Sequence, residues 1–533
     1  MSKIQRALIS VSDKAGLAEF VRELHQLGIE IISTGGTARV IKEAGVPVIE
    51  ISEFTGFPEI LDGHVKMLHP KVHAGLLFVR GNAEHEAIVA EQGIPPIDLV
   101  VVNLVPLEQI LAQPNMSLSD AIAKIDIDRS SLLRSAAKNH ASVTVVVDPA
   151  DYAPVMAELK VNGGTTLPAT RARLAMKAFV TASQYDTAIA AFLSAQAAKV
   201  TGETPASPLS ADGATGSGAG LPAMLNVSLP KTHDLQHGEN PHQKAALYGD
   251  FDRHFQQLHG KKPEYNDILN LTAATELVAE FTDPTVAIIK HTNPCGVGSA
   301  ATLVAAWNRA YATDREAPFG GVIAVNRPID AGIASMIAEI FSEIIVAPGF
   351  SPDALAILQK KENLRLIRQL TPPVAGLALR SVTGGVLAQE CDSRSESPAE
   401  FKTVTKRSPT QAERNAMVFA WRVAKHVKSN AIVFATAELT TARTLGIGAG
   451  QMSRVDSSKI AVWKAGEAGL SLAGSVVASD AFFPFPDGVI AAANAGATAV
   501  IQPGGSVRDA EIIAAADDRN LAMLFTGIRH FRH

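Results

Sequence analysis

A lysine and a histidine stand side by side where an apolar run ends, in a stretch that reads KHTNPCGVG from Lys290 to Gly298. An imidazole can accept a proton near neutral pH, and a neighbouring ammonium favours the neutral ring and can stabilise an oxyanion. The pair therefore suggests acid–base chemistry without a metal, with His291 as the base. A solvent-exposed lysine beside a packed loop histidine explains the same dipeptide without any chemistry.

The directions of these two side chains depend on where the strand ends. The run 286–289 predicts a buried strand, and successive residues of a strand point to opposite faces of a sheet. Lys290 and His291 therefore converge only if the chain turns there, and the pair Asn293-Pro294 predicts such a turn.

The Pro294-Cys295 pair raises a second possibility, a zinc deaminase. That chemistry requires a His-x-Glu motif followed by Pro-Cys-x-x-Cys. Here Gly298 occupies the position of the second cysteine, and no His-x-Glu precedes the pair. One thiol and scattered imidazoles do not form a zinc site, so the sequence disfavours this alternative.

Two turns rich in hydroxyl groups or glycine follow the first two predicted strands. Residues 33–37, STGGT, lie between a strand and a helix, where free backbone N–H groups and the positive end of the helix dipole attract anions. Residues 10–14, SVSDK, follow the first strand, where α/β sheets place ligands. Together the turns predict a phosphate pocket, although no Walker A loop is present. Helix capping and an ordinary tight turn are the alternative.

Two further lysines, Lys66 and Lys138, stand among apolar or small residues. A lysine is solvated by default, but such surroundings favour a buried, functional placement. The sequence pattern leaves both interpretations open.

The elements that would position these residues alternate between apolar strands and amphipathic helices. In the N-terminal part, strands are predicted at 7–11, 29–32, 46–49 and 99–102, and helices at 14–27 and 37–44. This alternation predicts a parallel sheet covered on both faces. In the C-terminal part, strands are predicted at 285–289, 321–325, 343–346, 431–435 and 497–501. Thr410 and Glu413 form a capping box that begins a helix reaching Lys425.

The bulk properties describe a globular protein. A chain of 533 residues is too long for a single hydrophobic core, so two or more domains are expected. A stretch near 199–220 that is rich in Gly, Ser, Thr, Ala and Pro is typical of a linker. The net charge of −5 gives no electrostatic case for binding nucleic acid or an anionic membrane. With two cysteines, no long apolar stretch and no signal-peptide pattern, a cytoplasmic location is expected.

A set of rare motifs, in a consistent order along nearly the whole chain, resembles those of one known family. The motifs are SVSDK (10–14), STGGT (33–37), LHPKVHAG (68–75), AAKNH (136–140), GENPHQ (238–243), KHTNPCG (290–296), KHVKSNAIV (425–433), GAGQMSRVDS (448–457), SDAFFPF (479–485), QPGGS (502–506) and RHFRH (529–533). The family is the bifunctional AICAR transformylase / IMP cyclohydrolase of purine biosynthesis.

The resemblance implies an α/β chain with two folds and two activities. Residues 1–197 are expected to form a methylglyoxal-synthase-like domain with a parallel sheet, which closes formyl-AICAR to IMP with loss of water. After a linker at 198–221, residues 222–533 are expected to form a cytidine-deaminase-like domain, which transfers a formyl group from 10-formyltetrahydrofolate to AICAR. The resemblance also implies a homodimer with transformylase sites shared between subunits, and chemistry that requires no metal.

The same resemblance assigns roles to residues. Its implied catalytic residues are Lys290, His291 and Asn430 for formyl transfer, and Lys66, Asp126 and Lys138 for ring closure. His291 would take the proton of the amine, Lys290 would assist the transfer, and Asn430 would orient the formyl oxygen. The residues implied to bind substrate are Ser10, Ser12, Lys14, Ser33, Thr34, Gly36, Gln236, His237, Asn266, Glu343, Phe482, Pro484, Asp487, Arg529 and His533.

The chain departs from the family pattern mainly in the ring-closing half. His64 and Met67 replace an arginine and a threonine, Val105 replaces a tyrosine, and Asp128-Arg129 replaces Gly-Gly. A permanent cation and a hydroxyl are lost, and side chains are added where the backbone would approach a ligand. Loss of one oxyanion donor alone costs about 10²–10³ in rate, so impaired cyclohydrolase activity is expected. Alternatively, Arg129 supplies the cation that His64 does not.

The transformylase half departs less. Gln236-His237 replaces the family's Arg-Tyr, so AICAR affinity is expected to fall. Formyl transfer is the leading expectation. The alternatives are a monofunctional transformylase, a non-catalytic descendant that binds purine nucleotides, and, least favoured, a zinc nucleoside deaminase.

Overall fold

The computed structural model describes residues 3–63, 65–105, 118–201, 229–374, 376–395, 397–438 and 440–533, together with 221, 225 and 227. The chain divides into an N-terminal unit, whose described residues precede Leu229, and a C-terminal unit that contains Leu229–His533. Each unit has its own buried hydrophobic core, as a chain of this length requires. Across these described ranges, no helix is both long enough and apolar enough to cross a bilayer.

The N-terminal unit is built on five parallel strands. They are β1 Arg6–Ser10, β2 Glu30–Ser33, β3 Ile49–Glu50, β4 Leu99–Val102 and β5 Thr144–Val146. Their order is β3-β2-β1-β4-β5, and every neighbouring pair is parallel, which confirms the predicted sheet. The strand order reverses between β1 and β4. Ligands are therefore expected beyond the carboxyl ends of these two strands.

Nine described helices accompany this sheet. They are α1 Leu17–Gln26, α2 Gly35–Glu43, α3 Ile51–Thr55, α4 Pro70–Leu77, α5 Ala83–Glu91, α6 Leu118–Ala123, α7 Asp128–Lys138, α8 Tyr152–Val161 and α9 Pro168–Thr201. Helix α9 continues into the linker predicted at 198–221, because its alanine-rich end favours helix. Residues 198–201 are therefore helical rather than linker, and residues 202–220 lie outside the described ones.

The C-terminal unit is built on a mixed sheet of twelve strands with two separate hairpins. The strands are β6 Lys231–Leu235, β7 Ala245–Tyr248, β8 Phe255–His259, β9 Thr285–Lys290, β10 Asn293–Ser299, β11 Gly321–Val325, β12 Ser342–Ala347, β13 Arg365–Gln369, β14 Leu377–Val382, β15 Gly385–Glu390, β16 Lys402–Thr403, β17 Ile432–Glu438, β18 Thr441–Gly448, β19 Val476–Ser479, β20 Ala499–Gln502 and β21 Ala522–Phe525. The large sheet has the order β16-β21-β20-β19-β17-β18-β10-β9-β11-β12-β13-β8. The five strands predicted in this half are all present, with small shifts at their ends.

Helices cover both faces of this sheet. They are α10 Phe251–His254, α11 Tyr265–Ala279, α12 Leu303–Thr313, α13 Ala331–Ile337, α14 Pro352–Leu358, α15 Gln411–Ala424, α16 Arg454–Glu467, α17 Asp487–Asn494 and α18 Asp509–Asp517. In β9, Ala287 and Ile289 pack in one core while Val286 and Ile288 pack in another. Both faces of this strand are therefore buried, which explains why it is apolar at every position from 286 to 289. Helix α15 begins with the predicted capping box of Thr410 and Glu413.

The KHTNPCG stretch forms a tight hairpin between β9 and β10. Strand β9 ends at Lys290, and the two turn residues, His291 and Thr292, have φ angles of 50° and 63°. The predicted turn after Lys290 is therefore present, but its predicted place at Asn293-Pro294 is wrong, because both residues belong to β10 and Pro294 pairs with Ile289. A register irregularity directly after Pro294 accommodates this residue, which has no N–H to donate to the ladder.

Candidate active sites

The hairpin presents the two residues predicted to carry proton transfer. Lys290 is the last residue of β9, and its Nζ donates to the backbone oxygen of Phe319 at 2.8 Å. His291 is exposed at the first position of the turn. Next to it, Thr292 N–H donates to Asn270 Oδ1 of α11 at 2.7 Å. The turn is therefore fixed to a helix, while the imidazole is left accessible.

A segment distant in sequence docks beside this hairpin. Lys428 N–H donates to Asn293 Oδ1 at 2.9 Å. Two residues further along, Asn430 Nδ2 donates to the backbone oxygen of Gln451 at 2.9 Å, and Asn430 O accepts from Ser457 Oγ at 2.6 Å. Two hydrogen bonds therefore hold Asn430 to the GAGQMSRVDS segment.

The buried carboxylate of Asp480 accepts hydrogen bonds from several parts of this region. Its side chain is fully buried, and it accepts hydrogen bonds from Ser429 Oγ at 2.5 Å, Ala431 N–H at 3.1 Å and Arg454 Nη1 at 2.5 Å. Arg454 Nε also donates to Phe482 O at 3.1 Å. One buried ion pair therefore connects the Asn430 segment to the predicted aromatic wall. Phe482 and Pro484 are exposed there, and so is Asp487 at the start of α17.

The C-terminal tail joins the same group. Arg532 O accepts from Ser429 N–H at 2.8 Å, and His530 N–H donates to Asp480 O at 3.1 Å. The exposed Arg529 guanidinium lies 4.3 Å from the ring centre of Phe531, and the rings of Phe531 and His533 are 5.3 Å apart. The terminal RHFRH motif therefore lies at the loop that carries Asn430.

Helix α11 and the residue after it hold these pieces together. Beyond its contact with Thr292, the helix carries Glu276, whose carboxylate pairs with Arg532 Nη2 at 3.0 Å. Glu280 follows the helix and pairs with Lys425 Nζ at 2.8 Å and with His426 Nε2 at 3.0 Å. Burial by itself would raise the pKa of Glu280, but hydrogen bonds from His426 and Lys425 lower it to about 2.

The remaining predicted ligands lie near the N-terminal end of α11. His237 Nε2 is 3.5 Å from Glu264 Oε2, and Asn266 Nδ2 donates to Glu239 O at 3.2 Å. Arg365 bridges Glu343 at 3.0 Å and Asp267 at 3.1 Å. Gln236 is exposed beside His237. Asn266 is one helical turn, about 6 Å of rise, from the Asn270 that binds the hairpin. The residues around Asn266 and the hairpin that carries His291 therefore adjoin along one face of α11.

The zinc alternative gains no support from this arrangement. Burial and the nearby charge of Asp314 raise the pKa of Cys295 to about 12, so its thiolate is disfavoured. Among the described side chains, no three His, Cys, Asp or Glu residues are grouped as a metal ion would need.

In the N-terminal unit, the predicted phosphate cradle lies at the carboxyl ends of β1, β2 and β4. Asn103, directly after β4, accepts from Ser12 N–H at 2.6 Å and from Asp13 N–H at 3.0 Å. Lys14 Nζ is 3.4 Å from Val11 O. The side chain of Asn103 thereby fixes the loop after β1 to the neighbouring strand.

The second turn of the cradle is tied to the first. Thr37 Oγ1 donates to Val11 O and accepts from Val11 N–H, both at 3.1 Å. Ser33 is buried and donates to Ile9 O at 2.7 Å, while Thr34 has an extended backbone and precedes α2 without a side-chain cap. A Cβ at Gly36 would meet no atom within 4 Å, so space remains in front of this helix N-terminus.

Arg129, which replaces a glycine of the family pattern, reaches into this cradle. Its Nε donates to Ser10 Oγ at 3.1 Å, and its Nη1 pairs with Asp126 Oδ2 at 2.8 Å. The backbone N–H of Arg129 also donates to Asp126 Oδ1 at 2.9 Å. The predicted ring-closure carboxylate is therefore engaged on both oxygens by one residue.

Asp128 anchors the segment that carries Lys66. The carboxylate is buried and accepts from Lys66 N–H at 3.3 Å and from Met67 N–H at 3.1 Å. Burial raises the pKa of Asp128 above its ordinary value, against those two hydrogen bonds. Lys66 is half-buried, and its Nζ lies 3.3 Å from Glu59 Oε1. The ammonium is therefore paired with a carboxylate.

Lys138 does not join this group within the chain. It is exposed at the last position of α7, whose first residues are Asp128 and Arg129, so about 15 Å of helix rise separates it from them. The suggestion that its small neighbours bury it is wrong, because they face the core while Lys138 faces solvent. Val105 is half-buried at the end of the described loop, and His64 lies outside the described residues.

Four residues that organise these sites were not singled out by sequence reasoning: Asn103, Asn270, Glu280 and Asp480. Asn103 was detectable, since it is a polar residue directly after a fully apolar strand. The other three act through partners more than 20 residues away. Asp480 lies in the SDAFFPF motif, but the local sequence does not show which partners these three residues bind.

The comparisons with known proteins agree with the motifs. A family model described as the AICARFT/IMPCHase bienzyme matches residues 136–464, and an MGS-like domain model matches residues 16–129. The bifunctional purine biosynthesis protein PurH of Chloroflexus aurantiacus is 56% identical over 100% of this chain and 99% of its own length. The PurH of Chlorobium chlorochromatii is 53% identical over 99% of each chain. A solved structure of ForH is 36% identical, with a TM-score of 0.32, over 35% of this chain and 95% of that one.

The order of motifs, the parallel N-terminal sheet and full-length identity above one half lead to one conclusion: this chain belongs to the AICAR transformylase / IMP cyclohydrolase family, the bifunctional enzymes of purine biosynthesis.

Proposed function

We propose that the C-terminal unit transfers a formyl group from 10-formyltetrahydrofolate to the 5-amino group of AICAR. The carrying observation is the hydrogen-bonded connection of the His291 hairpin to the Asn430 segment and, through Ser429, to the C-terminal tail. It joins an accessible imidazole, an ammonium, a carboxamide and a guanidinium, the groups that this reaction needs.

The chemistry follows from the weakness of the nucleophile. The lone pair of the AICAR amine is delocalised into the ring and carboxamide, so a base must remove a proton as the C–N bond forms. His291 accepts that proton, Lys290 stabilises charge on the tetrahedral oxygen, and Asn430 orients the formyl group. The bond from the formyl carbon to folate N10 then breaks, and N10 is released protonated. No step requires a metal.

Substrate binding would use the groups around these residues. Arg529 is proposed to hold the AICAR phosphate, with Phe482 and Pro484 against the imidazole ring. Asn266 at the start of α11 and Glu343 of β12 would contact the nucleotide, and Asp487 and His533 would complete the set. Gln236-His237 lacks the permanent cation of the family's arginine, so weaker AICAR binding is proposed. The working form is proposed to be a cytoplasmic homodimer with shared transformylase sites. Residues 1–197 and 222–533 are proposed to be the two catalytic domains of each chain.

For the N-terminal unit we propose impaired ring closure of formyl-AICAR. What supports this is the engagement of Asp126 by Arg129 and the contact of the same guanidinium with Ser10 of the cradle. A carboxylate neutralised in an ion pair is a weaker base, and a side chain in the cradle competes with the nucleotide. The opposite outcome, in which Arg129 supplies the cation that binds substrate, rests on the same contact with Ser10.

One experiment tests both halves. The purified protein is incubated with AICAR and 10-formyltetrahydrofolate, and tetrahydrofolate, formyl-AICAR and IMP are quantified. Tetrahydrofolate formation with accumulated formyl-AICAR is the expected result. Failure to form tetrahydrofolate contradicts formyl transfer and favours a non-catalytic nucleotide-binding protein, whereas prompt conversion to IMP contradicts impaired ring closure. Sedimentation of the same sample tests the homodimer.

A further inference from the structure

A cavity of about 320 Å³ opens between helix α12 and the β17–β18 hairpin, away from the residues discussed so far. Its polar lining comes from Asn308, Arg309, Thr436, Glu438, Thr441 and Arg443. Arg443 lies opposite Gly298 of β10, five residues beyond Asn293. At about 3.4 Å per residue, the cavity is roughly 17 Å along the strand from the His291 hairpin.

The two arginines meet because α12 lies directly on β10. A Cβ at Gly298 would be 2.4 Å from Ala306 O and 2.8 Å from Arg309 Cβ, so only glycine permits this approach. Arg443 pairs across strands with both Gly298 and Thr436. Side chains of directly paired residues share a face, so Arg443 and Thr436 lie on the face that α12 covers.

The charges in the cavity are not balanced by the described residues. Among the described residues, the charged groups that act on Arg443 are Arg309 and Glu438. Burial and the positive charge of Arg309 lower the pKa of Arg443, while the negative charge of Glu438 acts in the opposite direction. Glu438 lines the cavity as well, but it is exposed and accepts from Thr441 Oγ1 at 3.4 Å. Two guanidinium groups therefore face one carboxylate.

We propose that this cavity is a binding site for a phosphate-bearing small molecule, with Arg309 and Arg443 as the charged ligands. Guanidinium groups bind phosphate through paired N–H donors, and the Thr436 hydroxyl and the Asn308 amide offer further donors. The volume is at the lower end of the range for small-molecule pockets, which suits a phosphate or diphosphate group. None of the lining residues belongs to either candidate active site, and the proposal does not depend on the proposed function.

The test is pyrophosphate binding to the full chain, measured by isothermal titration calorimetry with AICAR saturating. The wild-type protein is expected to bind one more equivalent per chain than the Arg309→Gln/Arg443→Gln variant. Each single variant should weaken binding about 10-fold or more, the size expected for a hydrogen bond to a charged group. Arg380→Gln, at an exposed position of β14, is the matched control and should bind as the wild type does.

Equal stoichiometry and affinity in the wild-type protein and the double variant would overturn the proposal. Thermal unfolding of each variant identifies a folding defect, and Thr436→Val, which removes a donor without removing charge, should weaken binding in a folded protein. Absence of formyl transfer in the wild-type sample would contradict the proposed function and leave the anion site unaffected.

Discussion

Asn293 and Lys428 are 135 residues apart in the chain and are joined by a hydrogen bond of 2.9 Å, in which the Lys428 N–H donates to Asn293 Oδ1. This contact fixes the hairpin that presents His291 to the segment that presents Asn430. The side chain of Asn293 therefore supplies the link between the two halves of the proposed transformylase site.

Replacing His291 by asparagine should reduce formyl transfer by about 10²–10⁴, the usual effect of losing a general base. Asparagine tolerates the positive φ of this position, so the hairpin should survive the change. The measurement is the rate of tetrahydrofolate formation with saturating AICAR. Thr292→Asn, at the second turn position, is the control and should retain turnover. Activity within a few-fold of the wild type in the His291 variant would remove this residue as the base.

Replacing Asp480 by asparagine should destabilise the C-terminal unit by about 3–5 kcal/mol, because Arg454 would keep a buried charge without its partner. The free energy of unfolding in urea is the measurement. Asp456→Asn, at an exposed position of α16, should leave the urea midpoint nearly unchanged. An unchanged midpoint in the Asp480 variant would mean that the ion pair does not support the Asn430 segment.

Glu280→Gln should remove stability in a pH-dependent way. The pKa of Glu280 in the folded chain, about 2, is below the ordinary value of 4.5. Its contribution is therefore present above pH 4.5 and is lost as the pH falls towards 2. The wild-type protein should exceed the variant by about 3 kcal/mol at neutral pH, and the difference should vanish across that interval. Parallel stability curves for the two proteins between pH 2 and 5 would contradict the role given to Lys425 and His426.

Restoring the family's glycine at position 129 tests the altered cradle. Arg129→Gly should raise the rate of ring closure about 10-fold or more if the guanidinium blocks Asp126 and Ser10. The measurement is the conversion of synthetic formyl-AICAR to IMP. If ring closure instead disappears in Arg129→Gly, the arginine supplies a substrate-binding cation and the impairment proposal is wrong. Arg134→Gly, one turn and a half along α7, is the matched control.

Much of the architecture could be predicted because short apolar runs have few ways to fold. The run at 99–102 is β4 with the predicted bounds, and 321–325 is β11. The capping box of Thr410 involves a residue only three positions away, Glu413, so the local sequence was enough to predict it. The hairpin turn was misplaced because Asn-Pro is a strong local turn signal. Sheet pairing prevailed over it, and His291-Thr292 adopted the positive φ angles that a two-residue turn needs.

The sequence by itself determined the family, the alternating strands and helices, and the types of residue that perform acid–base and phosphate chemistry, because these depend on local pattern and motif order. Only the tertiary structure decided that Arg129 lies against Ser10, that Asp480 supports the Asn430 segment, and that Lys138 lies at the far end of its helix. Those contacts join residues brought together by sheet register and helix packing, and their energies depend on burial, which local sequence does not specify.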